Sequence, residues 1–238
     1  MNALFFLGEA HHNRGNWADA QRAFDRAAAA EQKYARVYGD DSIYTVRVFQ
    51  YANFLLDRGD FAAVEQRVGR ATAECEKQPD GHRLDIAYNR YLLGRVETLR
   101  GLARTAPADA PEFAAARDHL GAFMRACWEQ AMTDGRVTAH LGLAELADAT
   151  GDADRCRRQL AGATELCEPD DIRRFRCECD LGYARFHLWQ NDPATAGVYF
   201  DRAAAEVAAM KYFRRAGLVR ALAAGAGRPP PPGLPPDA

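Results

Sequence analysis

Apolar residues recur at helical spacing along the chain in five similar groups. Within each group they stand three or four positions apart, which places them on one face of a helix. The groups are Ala20/Phe24/Ala27, Val64/Val68/Ala71, Ala116/Leu120/Phe123, Cys156/Leu160/Ala163 and Ala196/Phe200/Ala203. Five copies of one amphipathic helix predict a repeated helical unit.

A turn signal stands before four of these groups. It is a glycine or asparagine followed by an asparagine or aspartate: Gly15-Asn16, Gly59-Asp60, Gly151-Asp152 and Asn191-Asp192. Glycine accepts the left-handed conformation that ends a helix, and the next side chain can accept hydrogen bonds from the first amides of the following helix. Each unit is therefore predicted to be a helical hairpin.

The third unit departs from this pattern. Gly101 marks the predicted end of its first helix, whereas Pro107 and Pro111 interrupt the helical pattern and delay the second helix. We expect a longer loop, an insertion across 104–112. The units are 44, 42, 50 and 40 residues apart when measured between Gly15, Gly59, Gly101, Gly151 and Asn191.

The first unit carries a family resemblance. Leu7, Gly8, His11, Gly15, Trp17, Ala20, Phe24 and Ala27 resemble a tetratricopeptide repeat, with His11 in a position where an aromatic residue is usual. The resemblance implies an all-α, right-handed α-solenoid of about five helical hairpins over residues 1–208. The long spacing is similar to that of repeats attached to bacterial signalling ATPases and regulators, although this sequence has no GxxxxGK[ST] phosphate loop.

The C-terminal part predicts two further segments. Residues 209–224 have the pattern of one amphipathic helix, suited to capping the last unit. Residues 225–238 contain six prolines, and we expect a disordered, solvated tail.

When the units are aligned on their turns, equivalent positions of the first helices form two columns of residues, one apolar and one polar. In a stack of hairpins, these helices line a concave groove. The apolar column holds Phe5, Phe49, Tyr91, Leu141 and Leu181, and the polar column holds Glu9, Asn53, Arg95, Glu145 and Arg185. Tyr88 and Trp189 extend this predicted groove for a protein or peptide. The alternative is that the apolar column is buried between helices, which we favour for Leu141 and Leu181.

Composition narrows the classes of partner. The net charge is −2 and the sequence pI is about 6.3, so no basic stripe indicates nucleic-acid binding. No apolar run reaches the length of a membrane span. Six cysteines without an export signal favour a cytoplasmic location with reduced thiols.

The cysteines and histidines give little indication of chemistry. Cys75, Cys127 and Cys167 each follow the last member of an apolar group by four positions, which predicts core packing. Cys177 and Cys179 are two positions apart on a predicted helix and diverge, so they cannot bind one metal ion together. We expect no metal site, no cofactor and no catalytic residue.

The leading hypothesis is a non-catalytic protein- or peptide-binding module in a bacterial signalling or regulatory assembly. One alternative is a receptor for a short signalling peptide. Another is a homo-oligomeric scaffold that associates through the first repeat, where Leu4, Phe5 and Phe6 would lie near the end of the stack. An enzyme is the last alternative.

Overall fold

The computed structural model describes residues 2–38, 45–77, 82–167, 172–231 and 234. Within these ranges the chain is all-α, with helices, turns and no strand. The helices are α1 (Asn2–Asn13), α2 (Trp17–Tyr38), α3 (Thr45–Asp57), α4 (Phe61–Cys75), α5 (Arg83–Ala103), α6 (Pro111–Glu129), α7 (Thr133–Ala149), α8 (Ala153–Cys167), α9 (Arg173–Trp189), α10 (Pro193–Met210) and α11 (Ala216–Gly225). A short 3-10 helix, Phe213–Arg215, precedes α11.

The helices form two compact units. Unit 1 comprises Met1–His12 and Asn16–Ala131, and unit 2 comprises Asn13–Gly15 and Met132–Ala238. In unit 1, α3, α4 and α5 pack against one another, and α5 packs along α6. In unit 2, α7 packs along α8 and α9 along α10, while α11 contacts both α9 and α10. Helices thus pack in neighbouring pairs within each unit.

The five apolar groups form the core, as the sequence predicted. All fifteen side chains are buried, and none is more than 3% exposed. The six cysteines are reduced and buried as well, which confirms the core packing expected for Cys75, Cys127 and Cys167. The spacing of three or four positions therefore identified the buried face of each second helix.

The turns within the hairpins share one hydrogen-bond geometry. Gly59, Gly151 and Asn191 have positive φ angles of 73°, 74° and 57°. The amide after each of them donates to the carbonyl five residues earlier, at 3.0, 2.9 and 2.8 Å. This is the bond that closes a helix through a left-handed residue. The side chains of Asp60, Asp152 and Asp192 accept from the amide three residues on and cap the second helix.

The third hairpin turns at Thr105 and not at Gly101. Thr105 has a φ of 50°, and the Ala106 amide donates to the Gly101 carbonyl at 2.9 Å. Gly101 itself lies inside α5. Measured between the left-handed residues, the hairpins are 44, 46, 46 and 40 residues apart, which is more even than the sequence suggested. The longer loop is confirmed, since α6 begins six residues after Thr105 whereas α4 begins two residues after Gly59.

The segment after residue 208 differs from the single helix expected over 209–224. The boundary falls inside α10, which ends at Met210 because Lys211 takes a left-handed φ of 53°. Leu234 is half-buried and packs against the core of unit 2, so the tail contacts the fold at this position. Residues 232–233 and 235–238 of the expected tail lie outside the described ranges.

The inter-unit turns expected at 39–41, 78–81 and 168–171 also lie outside the described ranges. Among the residues that are described, no helix combines the length and the apolar character needed to cross a bilayer.

Candidate functional site

Unit 1 brings together part of the predicted groove. The Phe49 ring lies 5.0 Å from Tyr88 and 6.0 Å from Tyr91 between centroids. Both tyrosines also contact Phe123 of α6 at 5.1 Å. Arg95, one turn beyond Tyr91, donates to its hydroxyl at 3.2 Å. The result is an aromatic cluster on α3, α5 and α6 with one cation at its edge.

Three other predicted groove residues are engaged elsewhere in unit 1. Phe5 is fully buried 6.3 Å from the Phe24 ring, because α1 packs closely on α2 there. Its placement in an open groove is therefore wrong. Glu9 accepts a 2.6 Å hydrogen bond from Gln50, and Asn53 donates to the Phe49 carbonyl of its own helix at 2.8 Å.

In unit 2, Arg185 is held by two carboxylates. Its Nε lies 2.8 Å from Asp148 and its Nη1 lies 3.9 Å from Glu145. Burial raises the pKa of Asp148, and the charge of Arg185 opposes this rise. The sequence pattern placed Arg185 and Glu145 together correctly but did not include Asp148, since Asp148 belongs to neither column.

The remaining groove residues of unit 2 divide between surface and core. Trp189 is 38% exposed, with its ring 6.0 Å from Phe186. Leu181 is 2% exposed and packs into the core, which agrees with the buried alternative. Leu141 is half-buried and packs against a separate core cluster that includes Val137 and Phe175.

A cleft of about 740 Å³ opens between α8, α9 and α10 of unit 2, and none of its lining residues was predicted. The residues around it are Thr164, Arg173, Arg176, Cys179, Asp180, Tyr183, Tyr199, Arg202, Ala205 and Glu206. We refer to this space as the α9–α10 cleft. Its lining combines three arginines, two carboxylates and two tyrosines.

Two ion pairs cross the α9–α10 cleft from one helix to the other. Arg173 donates through Nε and Nη2 to Glu206 Oε2 at 3.0 and 2.8 Å. Arg202 of α10 is hydrogen-bonded to Asp180 of α9, and its guanidinium lies 4.8 Å from the centre of the Tyr199 ring. Burial raises the pKa of Asp180 even though Arg202 acts to lower it.

Stacked rings form one side of the same cleft. Tyr183 and Tyr199 stack at 4.7 Å with an angle of 18°, and His187 stacks on Tyr199 at 5.5 Å. Burial raises the pKa of the Tyr183 hydroxyl and of the Cys179 thiol. Both groups are therefore protonated at neutral pH, and Cys179 is a poor nucleophile here.

A sequence signal for this cleft exists. Arg176, Asp180 and Tyr183 are four and three positions apart, which places them on one face of α9. Tyr199, Arg202 and Glu206 have the same kind of spacing on α10. Polar side chains at this spacing usually form a solvated helix face. Only the packing of α9 on α10 shows that these residues line a cleft.

Comparison with protein-family models and with curated proteins finds no match for this chain. The tetratricopeptide resemblance of the first unit therefore stays a prediction.

Proposed function

We propose that this chain is a non-catalytic module that binds a protein or peptide and is built as a right-handed α-solenoid of tetratricopeptide-like hairpins. The repeated left-handed turns and the five buried apolar groups support the hairpin architecture. The setting we propose is a bacterial signalling or regulatory assembly, on the basis of the long repeat spacing.

The observation that carries the proposal is the α9–α10 cleft. Its volume of about 740 Å³ can accept several side chains of a ligand, and its lining offers charge of both signs beside stacked aromatic rings. Arginine and tyrosine are the residue types that contribute most to binding at protein interfaces. We expect an acidic and aromatic ligand, because the exposed guanidinium groups of Arg173 and Arg202 attract carboxylates and the stacked tyrosines favour another ring.

The ion pairs give this cleft a binding chemistry. Arg173 is 54% exposed and Arg202 is 57% exposed, so both guanidinium groups remain accessible at the cleft. A carboxylate of the ligand can replace Glu206 as the partner of Arg173, or bind the exposed part of the Arg202 guanidinium while Asp180 stays paired. Exposed ion pairs of this kind contribute little to folding, so the exchange is inexpensive for the fold.

Selection of a phage-displayed library of short random peptides tests the proposal. The bait is the wild-type chain, and the enriched peptides are then measured against a variant with Arg173→Glu and Arg202→Glu that takes no part in the selection. We expect enriched sequences that are acidic and aromatic, bind the wild-type chain and lose at least about tenfold in affinity for the variant.

The matched control is Arg157→Glu, an exposed arginine of α8 that pairs with Asp154 and does not line the cleft. It should bind the selected peptides as the wild-type chain does. Unchanged far-ultraviolet circular dichroism would show that all variants are folded. Peptides that bind the cleft variant as well as the wild-type chain would disprove the assignment of the cleft.

A further inference from the structure

The junction between α4 and α5 in unit 1 gathers three side chains that bind metals. The Cys75 thiol, an imidazole nitrogen of His82 and a carboxylate oxygen of Asp85 lie within 4.8 Å of one another. Cys75 is the last residue of α4, His82 immediately precedes α5, and Asp85 lies in the first turn of α5. From the sequence alone, His82 and Cys75 had no reason to be paired, because one precedes α5 and the other ends α4 across the intervening residues.

We propose that these three residues form a Zn²⁺ site that joins the second hairpin to the third. Thiolate, imidazole and carboxylate are the ligands that zinc prefers in proteins, and three of them leave the fourth tetrahedral position for water. One thiolate and one carboxylate also balance the two charges of the ion, which lowers the cost of placing it in a partly buried site.

The exposure of the three groups suits entry of an ion. The Cys75 residue is 4% exposed, while the His82 and Asp85 side chains are 40% and 31% exposed. The thiol thus lies at the base and the other two ligands lie towards solvent. His82 Nδ1 and Asp85 Oδ2 are 2.7 Å apart, so their present contact is a hydrogen bond. Small rotations of these two partly exposed side chains would turn both towards a shared ion.

A second observation points to a polar group at this junction. Asn89, one turn beyond Asp85, is 1% exposed and donates to Thr72 Oγ1 at 3.1 Å. Thr72 lies one turn before Cys75 on the facing helix. The Asn89 Oδ1 atom is buried and has no hydrogen-bond partner. A buried acceptor without a donor is costly, so a polar partner near this part of the junction would be stabilising.

The repeat provides a matched comparison for Cys75. Cys127 occupies the equivalent position near the end of α6 and is also buried, at 0% exposure. Among the residues that the structure describes, three metal-binding side chains meet at Cys75, His82 and Asp85. Cys127 has no such set of neighbours within the described part of the chain. Metal binding is therefore assigned to one junction and not to every cysteine at this repeat position.

Titration of the untagged, metal-free chain with Co²⁺ tests the site, since Co²⁺ reports a bound thiolate by a charge-transfer absorption in the near ultraviolet. We expect one equivalent of Co²⁺ to give this absorption and Zn²⁺ to displace it. Cys75→Ser should abolish the absorption, and His82→Ala and Asp85→Asn should each weaken binding by about tenfold or more. Cys127→Ser should leave both the absorption and the affinity unchanged.

Thermal unfolding gives an independent readout that does not depend on the spectrum. Zn²⁺ should raise the Tm of the wild-type chain and of Cys127→Ser, because an ion that binds only the folded state stabilises it. It should not raise the Tm of Cys75→Ser. Failure of the wild-type chain to give the absorption, or its persistence in Cys75→Ser, would overturn the proposal.

Discussion

The Tyr212 hydroxyl donates a 2.7 Å hydrogen bond to Glu178 Oε1, and this bond joins the segment after α10 to α9. Arg215 Nε donates to the same oxygen at 2.7 Å. Burial raises the pKa of Tyr212 to about 12, so its hydroxyl remains a donor at neutral pH. Burial also favours the protonated form of Glu178, but Arg215 outweighs it and the pKa of this carboxyl is lowered. The C-terminal segment is thus held by a charged acceptor.

Glu178→Gln should reduce the free energy of unfolding at pH 7 by about 2 kcal/mol, the usual contribution of hydrogen bonds to a charged group. The folded-state pKa of Glu178 lies below its ordinary value of 4.5, so the stabilisation is fully present above that value. It is lost as the pH falls below 4.5 and through the folded-state pKa. The difference between wild type and Glu178→Gln in urea unfolding should therefore shrink on acidification.

Asp19→Asn is the control for this measurement. Asp19 pairs with Arg22, and their side chains are 45% and 69% exposed. Its replacement should change the free energy of unfolding by less than about 0.5 kcal/mol. An effect of Glu178→Gln as small as that of Asp19→Asn would contradict the role given to Glu178.

Gly101→Ala should destabilise the α5–α6 pair. A Cβ atom at Gly101 would lie 2.5 Å from Phe113 Cε1, and Phe113 is only 1% exposed, so its ring has little space to move. Overpacking of this kind costs about 1–3 kcal/mol, against a gain of at most about 1 kcal/mol from helix propensity. Thermal unfolding should show a lower Tm for this variant.

Gly69→Ala is the matched control within α4. A Cβ atom at Gly69 would meet nothing within 4 Å, so only the gain in helix propensity remains and the Tm should rise. Combining Gly101→Ala with Phe113→Leu should recover part of the lost stability, because the smaller side chain vacates the contact. A Tm of Gly101→Ala at or above that of wild type would disprove this close approach.

The cysteines should react slowly with Ellman's reagent in the folded chain. Burial raises the pKa of Cys156 to about 11 and of Cys177 to about 12, with neighbouring carboxylates adding to both. At pH 8 a thiol with a pKa of about 11 is thiolate in only about one molecule in a thousand. We expect less than about one thiol per chain to react rapidly with EDTA present, and all six to react in guanidinium chloride.

Arg157→Cys provides the positive control, since residue 157 is on the surface of α8 with its side chain 61% exposed. The added thiol should react at once in the folded chain. Rapid reaction of two or more native thiols would contradict the burial of the six cysteines.

The sequence predicted what depends on local chemistry. Glycine or asparagine followed by a capping side chain identified four of the five turns, because the left-handed conformation and the capping bond involve neighbouring residues. Thr105 was missed, since threonine gives no such signal and a glycine stood four positions earlier. Position 101 needs a glycine because the Phe113 ring packs directly against it. The sequence pattern does not show this contact, since it joins two helices.

The candidate sites depend on packing and were therefore predicted only in part. The column alignment grouped Phe49, Tyr91 and Arg95 correctly because their helices follow one repeat. It placed Phe5 in a groove because periodicity identifies a face without showing what covers that face. The α9–α10 cleft requires knowledge of how two polar helix faces meet, which spacing along one helix does not contain.

The Thr105 turn also makes the chain a suitable carrier for grafted sequence. The bond from the Ala106 amide to the Gly101 carbonyl completes the end of α5 before the loop begins, and Pro111 starts α6 afresh. The Ala110 amide donates to the Pro107 carbonyl at 2.9 Å and positions the residue that precedes α6, so an insertion belongs between Ala106 and Pro107. A lengthened loop adds only a slowly growing closure entropy, so an epitope or a fluorophore tag inserted there should leave α5 and α6 in register.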